Sequence, residues 1–313
     1  MSTQSNAAPE SVLDPHVSAP AAVSGTRPLI WSVRRELWEN RSIYLAPLVV
    51  AGFALLGYLI STSHLPRSMR AVLALDPVQQ GAVLAKPYSV VAMLIITTSS
   101  IVGVFYCLDA LHSERRDRSI LFWKSLPVSD LTTVLSKAII PLVVLPLLTF
   151  AIVVVTHLIM LLASSAVLLG AGLSASPLWT QLRLFQVEVV LLYGLTVATL
   201  WYAPVYGWLL LVSAWARRAT FLWAVLPPLA LCVVEKIAFH TSYFASMLQH
   251  HLRGGFNEAF AVRSSGPVPG GIDHLDQLDP VAFLSSPGLW IGLLVAAALL
   301  AAAVRLRRYR GPI

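Results

Sequence analysis

Charged side chains are scarce in this chain. Asp, Glu, Lys and Arg together make up 12% of 313 residues, about half the ~25% of an average soluble domain. A water-facing surface of normal charge density is excluded, and lipid is the expected solvent. Cysteine occurs twice, which rules out a disulfide scaffold. Cys107 and Cys232 fall in apolar runs, where a free thiol acts as a small hydrophobe. The four lysines follow Ala85, Trp123, Ser136 and Glu235, so none closes a G-x-x-x-x-G-K-[ST] phosphate loop. H-E-x-x-H, G-x-S-x-G and C-x-x-C are missing as well. No catalytic residue, metal or cofactor is therefore expected on this chain. Residues 1–28, rich in Ala, Ser and Pro, lack the apolar core of a secretory signal and read as a disordered tail.

What is present is apolar length. Hydrophobic residues reach 57% and the mean hydropathy is +0.74. Six runs approach the roughly 20 residues that a helix needs to cross a bilayer: about 43–60, 88–108, 138–163, 189–216, 219–238 and 289–304. Pro141 and Pro146 in the third, and Pro204 in the overlong fourth, predict kinks or tilt. The fifth and sixth are short and borrow flanking residues. The fold class is thus an all-α integral membrane protein whose six-span domain covers 43–310.

The net charge of +7 does not point to nucleic acid, because the basic residues gather at the ends of the apolar runs. If both termini are cytoplasmic, the inner side holds Arg27, Arg34, Arg35, Arg41, Arg115, Arg116, Arg118, Lys124, Lys137, Arg217, Arg218, Arg305, Arg307, Arg308 and Arg310. The outer side holds Arg67, Arg70, Lys86, Arg183, Arg253 and Arg263. That asymmetry satisfies the positive-inside rule.

Ahead of the first span, residues 29–42 read as an amphipathic interfacial helix. Ile30, Val33 and Leu37 share a face, with Trp31, Trp38, Arg34 and Arg41 beside it. It is either a helix with a role on the inner leaflet or an ordinary juxtamembrane segment. In the outer loop 239–287, Tyr243, Phe244, Met247, Leu248 and His251 line one side of a short helix that Gly254-Gly255 should break. His240, His250, His251 and His274 have no compact metal-site spacing.

Within or beside the spans, His157, Glu188, Glu235 and Lys236 are ionisable. An ionisable group at the bilayer centre costs at least about 2.5–3.5 kcal/mol. These four are either pathway contacts or interface anchors. Gly288, Gly292 and Ala296 repeat every four residues. Small residues so spaced permit close helix approach, within one subunit or between two.

The densest polar stretch, 112–130, lies between the second and third spans. Glu114 and Arg118 are four apart, so a helix should continue out of the second span. Leu126, preceding Pro127, is pushed from helical geometry, so that helix should end near Lys124 or Ser125. Ser129 or Asp130 then caps the next helix. Ile120, Leu121, Phe122 and Trp123 are too apolar for water and need a membrane surface or a protein groove.

The sequence from Tyr106 to Asp130, followed by Lys137, resembles the segment after the second span in permease subunits of type 2 ABC exporters. Glu114 and Arg115 match that family's acidic-basic pair. Ser125, Pro127, Val128 and Ser129 match its turn, and Lys137 its closing basic residue. The resemblance implies that Glu114, Arg115, Arg116, Asp117, Arg118, Phe122, Trp123, Lys124, Ser125, Pro127 and Ser129 form a cytoplasmic coupling helix and turn that dock on an ATPase. It further implies two copies of an ATPase chain that binds ATP and Mg, a second permease copy or paralogue, and a bacterial inner (cytoplasmic) membrane. Loop 239–287 is then periplasmic. Rival readings are a non-transporting assembly or sensor subunit, a secondary transporter, or a membrane enzyme. The cargo is not legible.

Overall fold

The computed structural model describes residues 26–121, 128–260 and 278–309. The tail expected over residues 1–28 lies outside these up to residue 25. The same holds for Phe122, Trp123, Lys124, Ser125 and Pro127 of the expected coupling turn, and for His274. The described chain is helical, with no strand; its one bridge joins Phe260 and Leu278.

In chain order the helices are α1 (Thr26–Glu39), α2 (Ser42–Ser61), α3 (Leu65–Val72), α4 (Pro77–Asp109), α5 (His112–Arg116), α6 (Asp130–Ile139) and α7 (Leu145–Gly170). They continue with α8 (Ser176–Gln181), α9 (Leu184–Trp201), α10 (Ala203–Trp215), α11 (Thr220–Phe239), α12 (Tyr243–Ala259), α13 (Pro280–Ser285) and α14 (Pro287–Tyr309). Six helical stretches among the described residues are long and apolar enough to cross a membrane. The chain is a multi-pass membrane protein.

Prolines shape the spans. A single π-helical segment, Ile140–Val144, links α6 to α7 where Pro141 interrupts the hydrogen-bond ladder. The fourth span differs from the continuous segment expected over 189–216. It is divided at Tyr202, with Pro204 at the start of α10, where its missing N–H costs nothing. α10 then runs beside α14. A Cβ on Gly207 would lie 3.3 Å from the Ala296 carbonyl oxygen, so the two backbones nearly touch.

Two further expectations are corrected. Gly254-Gly255 does not end α12, which runs on to Ala259. A Cβ on Gly255 would lie 2.6 Å from the Trp201 ring, so this glycine serves close helix packing. The predicted helix 29–42 begins earlier and stops at Glu39. It is not merely laid on a surface, since Glu36 is buried and Val33 and Leu37 pack on the core. Ile30, Trp31 and Trp38 stay exposed, with the Arg34 guanidinium 5.5 and 4.8 Å from the two indole rings.

The core has two main parts. Near the arginine-rich end, Ile43, Tyr106, Cys107, Ala138, Ile140 and Leu210 pack together. Toward the opposite end, Tyr88, Ile95, Val153, Met160 and Leu168 join α4 to α7. α11 shows most of its apolar side chains outward, among them Phe221, Leu226, Leu229, Val234 and Ile237.

Candidate functional site: two buried ionisable clusters

The second span does not continue smoothly into the charged run. α4 ends at Asp109, and the chain turns through Ala110-Leu111 before the short α5. That break frees backbone donors, and a side chain from another helix takes them. The Ser213 hydroxyl on α10 accepts from the Leu111 N–H at 3.0 Å and from the His112 N–H at 2.9 Å. Arg115 answers in kind: its Nη1 donates to the carbonyls of Ala214 (2.7 Å) and Ala216 (3.3 Å) at the C-terminal end of α10. Carbonyls left over at a helix end favour a cation there. α5 is thus clamped onto α10 in both directions.

Glu114, next to Arg115, points the other way, into the centre of a charged network. Lys137 Nζ on α6 lies 3.1 Å from one of its carboxylate oxygens, and Arg307 on α14 bonds the other. Arg35 on α1 stands 3.5 Å away. Lys137 also bonds Glu36 at 2.8 Å, and the Tyr106 hydroxyl donates to Glu36 at 2.9 Å. Arg307 reaches Asp130 at 3.1 Å. Three carboxylates (Glu36, Glu114, Asp130) thus face three cations (Arg35, Lys137, Arg307), and Arg35 also pairs with the exposed Glu39 at 2.9 Å. Glu36, Glu114, Lys137 and Arg307 are each 5% exposed or less. Buried ions persist when paired and hydrogen-bonded in this way.

The expected Glu114–Arg118 helix pair is not how Glu114 is used. α5 ends at Arg116, Arg118 adopts a left-handed conformation (φ 58°), and Glu114 pairs across helices. Arg116, Asp117 and Arg118 are exposed, with Arg116 and Asp117 paired at 3.0 Å. Ile120 is buried and Leu121 exposed. Ser129 caps α6, accepting from the Thr132 N–H at 3.1 Å.

The second cluster lies toward the opposite end. His157 on α7 is fully buried; its Nδ1 is 2.6 Å from Glu188 Oε1 on α9, and its Nε2 is 3.0 Å from the Tyr88 carbonyl oxygen. A carbonyl only accepts, so Nε2 carries a proton. The short Nδ1–Oε1 contact then needs a second proton. The pair is either imidazolium–carboxylate or imidazole–carboxylic acid, neutral in both forms. Among the described residues Glu188 Oε2 has no hydrogen-bond partner, while Tyr58 bonds Ser164 at 2.6 Å.

Glu235 and Lys236 do not join this cluster. The Glu235 carboxylate accepts from Thr241 Oγ1 and from the N–H groups of Tyr243 and Phe244, which caps α12. Lys236 is exposed. Gly288 faces Trp201, Gly292 faces Pro204, and Ala296 faces Gly207, all within one chain. His251 stacks on Trp201 with centroids 5.3 Å apart, and burial lowers its pKa. His250 stands 3.4 Å from Glu258, and His240 ends α11 in a left-handed turn.

Sequence reasoning missed Glu36, Arg307, Asp130, Tyr106 and Ser213 as partners of the charged run. The usable signal for Glu36 was its place three residues after Val33 on the apolar face of α1. For Ser213 it was a lone hydroxyl inside an apolar run. No family model, curated protein or solved structure matches this chain.

Proposed function

We propose that this chain is the transmembrane permease subunit of a type 2 ABC exporter, coupled to a separate ATPase subunit. Two permease copies, or one with a paralogue, would enclose the path in a bacterial inner membrane, with the arginine-rich end and both termini cytoplasmic. ATP and Mg would bind the partner chain. The single observation that carries the reading is the anchoring of α5. A short charged element between spans two and three is tied by Arg115 and Ser213 to α10, and by Glu114 to α1, α6 and α14. A push on α5 would therefore reach four other helices, as rigid-body switching requires.

On this reading the coupling residues divide by task. Glu114 and Arg115 hold the element to the spans. Arg116, Asp117 and Arg118, which are exposed, meet the ATPase together with residues 122–127. The test is co-purification with the genomically adjacent ATPase, followed by charge reversal at Arg116 and Arg118. The variants should fold with unchanged thermal stability yet lose the ATPase and its stimulated turnover. A native complex that contains no nucleotide-hydrolysing chain would overturn the proposal. It would favour the second reading, a non-transporting assembly or sensor subunit, which rests on the same exposed charges recruiting a different soluble partner.

A further inference from the structure

α1 carries two faces with different tasks. Glu36, Val33 and Leu37 turn inward, Glu36 into the ion network and the two apolar side chains onto the core. Ile30, Trp31, Arg34 and Trp38 share another side of the helix, and all four are exposed. The three apolar ones are 65%, 63% and 67% exposed, a cluster too large to be left in water. The side of α1 that still needs a partner is therefore the tryptophan–arginine side, not the Val33–Leu37 side.

The ion network fixes the depth of this helix. Glu36 meets the Tyr106 hydroxyl, in the last turn of α4, at 2.9 Å, and Lys137, in the last turn of α6, at 2.8 Å. The second apolar run ends at about residue 108 and the third begins at about residue 138, so α1 sits level with the ends of two spans. Asn40 and Arg41 alone separate it from α2, the start of the first span. An outward face at that level meets the headgroup layer, where tryptophan is favoured.

The charge on this face is unspent. The Arg34 guanidinium carbon lies 5.5 Å from the ring centroid of Trp31 and 4.8 Å from that of Trp38. Lodged beside two indoles, the guanidinium is ordered before a ligand arrives, and its N–H edge stays open. Among the described residues neither Arg34 nor Arg41, both exposed, has a carboxylate partner, whereas Arg35 turns to Glu39 and Glu114. A fork of N–H donors without a carboxylate, held at headgroup depth, matches a phosphate.

We infer that this face of α1 is a binding site for anionic phospholipid. Ile30, Trp31 and Trp38 enter the headgroup boundary, Arg34 takes a lipid phosphate, and Arg41 adds to the local positive potential. The inference rests on α1 lying level with the span ends and does not depend on the exporter reading.

The test uses the full-length protein in vesicles that mix phosphatidylglycerol and phosphatidylcholine, with one or the other brominated near the head of its chains. Bromine quenches tryptophan on contact. The fluorescence that the wild type has and the Trp31→Phe/Trp38→Phe double variant lacks thus reports the lipid beside those two rings. Phosphatidylglycerol should be enriched there about fivefold over phosphatidylcholine at low salt, the factor expected for one basic residue at a charged surface, and less at high salt. Arg34→Gln should remove most of that enrichment and Arg34→Lys should restore part of it, both with the thermal stability of the wild type because the side chain is exposed. Failure of either lipid to quench this pair would overturn the proposal and give the face to a protein partner. Equal quenching by the two lipids would overturn it too, as would an enrichment that Arg34→Gln leaves intact.

Discussion

The two buried ionisable clusters solve the same problem in opposite ways. At the arginine-rich end, Glu114 has cationic partners on three different helices, and each of its carboxylate oxygens is paired. At the other end, His157 and Glu188 form one link between two helices and leave Oε2 without a donor. A saturated network fixes the arrangement of the helices that supply it, because moving any one strands a charge. The first cluster therefore fastens several helices at once, and the second is a single side-chain link with one acceptor left over.

The sharpest way to break the comparison is to remove the central acid. Glu114→Ala leaves Lys137 and Arg307 short of a carboxylate and should destabilise the protein by about 3–5 kcal/mol. Thermal unfolding in detergent, followed by dye reaction at the buried Cys107, would register the loss. Glu188→Ala removes a single link and should cost less, about 1–3 kcal/mol in the same assay. Equal losses would mean that the two clusters do not differ in kind.

Gly255→Ala tests the packing that sets α12 on the spans. Its Cβ would meet Trp201 at 2.6 Å, and overpacking of this sort costs about 1–3 kcal/mol. Proteolysis within α12 at temperatures where the spans stay folded would reveal it. Ser129→Ala removes the cap of α6 and should lower stability by about 1 kcal/mol, visible as a small shift in the same thermal curve.

The smallest effect concerns pH. Burial lowers the pKa of His251 below its ordinary value of 6.5, and its Nε2 has no partner among the described residues. The unfolded chain therefore takes up the proton first. Stability is intact above pH ~6.5 and is lost as pH falls from there through the lower folded value. Protection of α12 against amide exchange should weaken over that range, and His251→Phe should flatten the response.

Much of the architecture was legible because apolar length is a local property. Runs near 43–60, 138–163 and 219–238 reappear as α2, the third span and α11 with modest changes at their ends. Pro204 signalled a fault in the fourth span, but a kink and a full break look alike in sequence. The break falls at Tyr202, beside Trp201, which is seated against Gly288 and Gly255. The charged run was visible as a dense patch, and its helical spacing suggested a local Glu114–Arg118 pair. Two of the partners Glu114 takes, Arg35 and Arg307, lie 79 residues before it and 193 after it in the chain, and no local pattern reaches that far. His157 and Glu188 were each flagged, while their meeting depended on how α7 and α9 pack.

The residue order alone therefore determined the solvent, the helical class and the distribution of basic residues, because hydropathy and proline act within a few residues of themselves. The tertiary structure decided which charges neutralise each other and which acceptor stays unpaired. Those outcomes are settled by distances of 3 Å between helices remote in sequence, where burial makes a partner, or its absence, energetically decisive.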